Sequence, residues 1–163
     1  MSQLADFVEL PVTAVRLLIP AAMPRRRLFR KPVYVFQEYL NQHGRNLGSF
    51  DADGLYIVIV LLYLRQYYGI NLLDGNKGLA IMAQTLSKYQ GSFFAFFTNE
   101  DRVHSEAVRT VKFEAGKLRQ FCEEQGFEYD RYGNISTLQL AASKIADLLA
   151  HMKDDHVVLV SVG

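Results

Sequence analysis

Tryptophan is missing from this 163-residue chain, and cysteine occurs only once, as Cys122. A lone cysteine has no second to pair with, so the fold owes nothing to an internal disulfide. Long apolar runs are missing too. The most apolar stretch, Leu55–Leu64, is ten residues long, against the roughly 20 that a bilayer span requires. No membrane segment is therefore expected, and that run must be buried by the rest of the chain. The first residues also lack the basic segment and unbroken apolar stretch of a secretory signal, because Glu9, Pro11, Arg16 and Pro20 interrupt residues 7–23. A cytoplasmic location is expected.

Several chemical signatures are absent as well. There is no G-x-S-x-G elbow, no GxxxxGK[ST] loop and no GxGxxG turn. Asp74-Gly75-Asn76-Lys77-Gly78 and Asp51-Ala52-Asp53-Gly54 resemble pieces of calcium loops. Both lack the full D-x-D-x-D-G pattern and its closing Glu, so they read as turns and caps. His151 and His156 bracket Asp154 and Asp155, but two histidines five apart across a helix end do not have the spacing of a zinc pair. No metal and no cofactor is expected. Cys122 sits on an apolar helix stripe beside Glu123 and Glu124, surroundings that raise a thiol pKa, so it reads as structural.

What is present is an ordinary globular balance, with half the residues apolar and 21% charged. At this length one domain spanning 1–163 is expected, burying about 70% of its unfolded surface. Net charge is +1, unevenly spread: residues 1–50 carry seven Lys and Arg against three acids, and the remainder eleven against fourteen.

Periodicity and caps give the elements. Asp6–Leu10 alternates as a short strand, and Pro11 opens a helix that Pro20 ends. Pro32 opens another, with Val33, Phe36, Tyr39 and Leu40 on one face and Gly44 closing it. Residues 44–50, GRNLGSF, read as a loop. The stretch Asp51–Gly69 has helix caps in Asp51, Asp53 and Gly69 but strand-like β-branching in Ile57–Val60; about 15 residues between the cap signals favours helix, with a central strand over 55–64 the alternative. Residues 78–90 form a further helix. Ser92–Thr98, with four phenylalanines, is a strand covered on both faces. Asn99 then caps one long helix to Gln125, striped by Val103, Ala107, Val111, Ala115, Leu118 and Cys122, in which Gly116 marks a close helix contact. FEYDRYG connects to a helix capped by Ser136, and His156–Val162 is a second buried strand. The fold class is α+β: a helix-dominant single domain with about five or more helices around a small two- or three-stranded sheet.

Three groups of residues are candidate sites. Asn99, Glu100, Asp101 and His104 follow the C-terminal end of a buried strand, where α/β sheets commonly bind ligands; the alternative is plain capping chemistry. Arg25, Arg26, Arg27, Phe29, Arg30 and Lys31 place five positive charges around one aromatic, suited to an acidic protein or to nucleic acid, or else to a solvated loop. With the stretch Asp51–Gly69 helical, Tyr56, Tyr63 and Tyr67 fall on one stripe of it, at a core edge or a contact surface. The expected function is a small, non-catalytic binding module acting protein to protein, inhibitor- or immunity-like, with another protein or a second copy as partner. The alternatives are a small-ligand binder or enzyme using Asn99–His104, and a nucleic-acid accessory protein using residues 25–31.

Overall fold

The computed structural model describes residues 2–23 and 35–163. The basic cluster Arg25, Arg26, Arg27, Phe29, Arg30 and Lys31, and the helix start expected at Pro32, lie outside them. The α+β class holds, but the sheet has four strands, not two or three. They are β1 (Ala5–Pro11), β2 (Arg45–Ser49), β3 (Phe93–Thr98) and β4 (His156–Val162), all antiparallel in the order β2-β1-β4-β3. The added strand is β2, read from sequence as a loop. Its side chains are mostly exposed, so it carries no apolar alternation to read. An edge strand pairs on one side only, and Gly48 (φ 92°) and a register shift between Asp6 and Val8 irregularise it further.

Helices cover both faces of the sheet. On one face lie α1 (Val12–Val15), α2 (Leu18–Ala22), α3 (Val35–His43) and α5 (Lys77–Gln90), packed on Leu10, Phe94, Phe96, Val157 and Leu159. On the other lie α4 (Leu55–Tyr68), α6 (Ser105–Arg109), α7 (Ala115–Gln125), α8 (Tyr129–Tyr132) and α9 (Ile135–Ala150), packed on Phe7, Ala95, Phe97, Val158 and Val160. The strand alternation of period two assigns these side chains to opposite layers. It explains why β3 is apolar from Phe93 to Phe97 and β4 from Val157 to Val160.

The helix expected between Asp51 and Gly69, and not the strand alternative over 55–64, is the form realised, as α4 over Leu55–Tyr68. An extended strand of that length would run about 45 Å, out of scale with a chain whose radius of gyration is about 15 Å; a helix needs about 21 Å. Asp53 supplies the start, its carboxylate accepting the Leu55 N–H at 3.1 Å. Gly69 supplies the stop in the left-handed region (φ 64°), with the Ile70 N–H reaching back to the Leu64 carbonyl at 3.2 Å. Gly54 must be glycine for another reason, since a Cβ there would stand 2.7 Å from the Ala5 nitrogen. The helix is buried nearly all round, as a helix with so little polar surface has to be.

Elsewhere the elements depart from expectation at identifiable points. The first helix divides into α1 and α2, and Pro20 sits in the first turn of α2, where its missing N–H costs nothing. The long helix expected over 99–125 is three pieces: a 3₁₀ segment at Asn99–His104, α6, and α7. Between α6 and α7 the chain straightens to bury Val111 and Phe113, and the Tyr68 hydroxyl donates to the Lys112 carbonyl (3.0 Å) while accepting its N–H (3.1 Å). Val103 is consequently 80% exposed and Val108, not Ala107, is buried. A Cβ added at Gly116 would meet nothing within 4 Å, so this glycine marks no close helix contact. Asn134 caps α9 two residues ahead of Ser136, accepting the Thr137 N–H at 3.2 Å.

Candidate functional site

The strand ends Thr98 and His156–Val157 open onto a cleft of about 470 Å³. Its floor is apolar: Val15 from α1, Leu79 and Met82 from α5, and Val157 from β4. Its rim is polar, with Arg16, Asn76, Asn99, Glu100, Asp155 and His156. A second cavity of about 230 Å³ lies beyond Glu100, toward Asn71, Asp101 and His104. Asn76, Leu79, Thr98 and Glu100 line both. The structure thus gathers all four candidates at one end of the sheet, Asn99 in the larger space, Asp101 and His104 in the smaller, and Glu100 between them.

The local fold fixes this arrangement. Thr98, not Asn99, is the capping residue: its N–H donates to Asp101 Oδ2 at 2.8 Å, and its hydroxyl to the same oxygen at 3.3 Å. This capping turns the chain sharply at the end of β3 and leaves Asn99 and Glu100 projecting at the turn. Burial pushes the Asp101 carboxyl up, and the Glu100 charge adds to that, against the hydrogen bonds from Thr98 and the charge of His104. Opposite, the Asn76 side chain caps α5 by accepting the Leu79 N–H at 3.0 Å. The Val12 N–H donates to the Asp155 carbonyl at 2.8 Å, tying α1 to the start of β4 and closing the third wall. His156 Nδ1 lies 2.9 Å from the Asp154 carbonyl, which leaves Nε2 as its outward nitrogen.

Sequence reasoning missed Arg16, Asn76, Asp155 and His156 as neighbours of Glu100. Arg16 gave one signal, as a charge interrupting an otherwise apolar stretch.

The tyrosines turn inward, which removes Tyr56 and Tyr63 from any contact surface. The Tyr56 hydroxyl donates to the Arg131 carbonyl at 2.8 Å and its ring meets Tyr132 edge-on at 5.3 Å. Tyr63 is 1% exposed, between Phe113 (4.9 Å) and Phe121 (5.5 Å), and burial pushes its hydroxyl pKa up. Tyr67 is half-buried, its hydroxyl 3.4 Å from the Lys117 carbonyl. The stripe joins α4 to residues 111–132, because a ring that is mostly apolar with one donor can close a core edge and satisfy a loop carbonyl at once. Cys122 is fully buried and burial alone pushes its thiol up, a thiol without activation. Among the described residues no helix is long and apolar enough to cross a membrane, and no three His, Cys, Asp or Glu side chains gather as metal ligands would. Neither a family model, nor a curated protein, nor a solved structure matches the chain.

Proposed function

We propose that this chain is a small-molecule binding protein whose site is the cleft beside Glu100. One observation carries the reading: a concave space of about 470 Å³ with an apolar floor and a polar rim at the end of the sheet. Ligand sites typically have that size and that lining, apolar surface for affinity and a few polar groups for orientation. The protein-partner reading has less under it. Two of its three tyrosines face the core, and its basic cluster lies outside the described residues.

The test is a thermal-shift screen against metabolites followed by calorimetry. A ligand at 100 times its Kd adds about 2.7 kcal/mol, worth about 5–10 °C of Tm in a chain of this size. Met82→Trp, which fills the floor, and Glu100→Ala, at the rim, are expected to abolish the shift while the unliganded Tm moves little. A ligand whose shift is unchanged in both variants binds elsewhere, and the cleft reading falls.

A further inference from the structure

We infer that the ligand of this cleft is a zwitterion with an apolar body, of the kind a short apolar peptide with free termini provides. This rests on the cleft being the binding site and adds the charge pattern of what enters it. The carrying observation is a pair of opposite charges on facing banks. Arg16, after α1, and Glu100, after β3, both line the cleft, and neither side chain makes a hydrogen bond or ion pair with another described residue. Arg45, Arg65, Arg102, Arg109 and Arg131 by contrast hold carboxylates within 3.1 Å, and Arg119 lies over the Tyr129 ring.

The sheet order explains why the two do not neutralise each other. β4 lies between β1 and β3, so the strands that lead into α1 and into the Asn99–His104 turn stand two strand spacings apart, about 10 Å. Between the banks lies the floor of Val15, Leu79, Met82 and Val157. A singly charged amphiphile gains from one bank and is repelled by the other. A molecule with a carboxylate at one end, an ammonium at the other and apolar side chains between satisfies both banks and the floor together. Asp155 adds a second carboxylate to the lining; Arg16 takes the ligand's carboxylate, and His156, whose Nδ1–H donates to the Asp154 carbonyl, presents Nε2 as an acceptor for the ammonium. Arg16 offers the fork geometry that suits a carboxylate.

The probe is the dipeptide Leu-Leu, compared by calorimetry at low salt with its N-acetyl form, its C-terminal amide and the doubly capped form. The wild-type chain is expected to bind the free dipeptide at least tenfold more tightly than either singly capped form. Arg16→Gln is expected to lose discrimination against the amide only, and Glu100→Gln to weaken discrimination against the acetyl form only. Both positions are exposed, and circular dichroism checks that each variant folds. Equal binding of all four forms would leave the cleft a site for apolar ligands and overturn the zwitterion. No binding of any form would overturn the zwitterion, while the cleft reading stands or falls with the metabolite screen. Binding that both variants leave unchanged would place the peptide elsewhere and overturn the assignment to this cleft.

Discussion

Glu9 is the buried charged side chain among the described residues, 5% exposed on the α9 side of β1. Burial alone would push its carboxyl up. Paired hydrogen bonds from Arg45 (3.1 and 3.2 Å) and an ion pair to Lys153 (3.3 Å) more than offset that and hold it below the usual carboxylate range. A depressed carboxyl pKa contributes stability that is present above the unfolded value and lost as pH falls through the folded one. Glu9→Gln should therefore destabilise the chain at pH 7, by about 1 kcal/mol because both cations are half in water. The gap between variant and wild type should close as denaturation is repeated below pH 4; a gap that persists there would show the loss to be one of packing. Gly116→Ala should do the opposite. Its Cβ would meet nothing within 4 Å in the first turn of α7, so the substitution should stabilise by about 0.5–1 kcal/mol, read as a higher denaturation midpoint.

At the scale of elements, the break between α6 and α7 depends on Tyr68 holding both backbone groups of Lys112. Tyr68→Phe should cost about 1 kcal/mol and should speed amide exchange at residues 110–114 more than in α9. Equal protection in variant and wild type would show that Val111 and Phe113 hold this segment without the hydroxyl. The same segment shows where local patterning stops being informative. From Asn99 to Gln125 the apolar residues keep helical spacing, and only the placement of Phe113 under Tyr63 reveals that the chain leaves the helix. β2 was illegible for the opposite reason, since an exposed edge strand buries too little to leave a pattern. Strands β1, β3 and β4, and helices α4, α5 and α9, were legible because each buries a periodic apolar face or carries its own cap. At the site, Asn99–His104 could be read from its position after a buried strand. Arg16 and His156 could not, because they are 140 positions apart and only the sheet order unites them.

The whole molecule depends on β4. It pairs with β1 from Ala5↔Val162 to Pro11↔His156, and with β3 from Phe93↔Val162 to Thr98↔Val157. Without it, β1 and β3 have no neighbour in common and both helical layers lose much of their floor. A chain lacking residues 156–163 should show no cooperative melting transition by circular dichroism. A cooperative melt near the wild-type Tm would show that the helical layers hold together unaided. Pairing strands this far apart in sequence also carries a large loop-closure cost, so folding should be slow beside helical proteins of the same length.

The backbones of Leu4 and Gly163 exchange hydrogen bonds at 3.2 and 3.1 Å at the open end of the β1–β4 ladder. Handles attached at these two residues would pull on that ladder from its end, so its bonds would break in succession, as in peeling tape. Handles at Leu4 and His156 would load the same bonds together, in shear. One molecule should thus be mechanically soft along one axis and stiff along another, a direction dependence set by a single pair of strands.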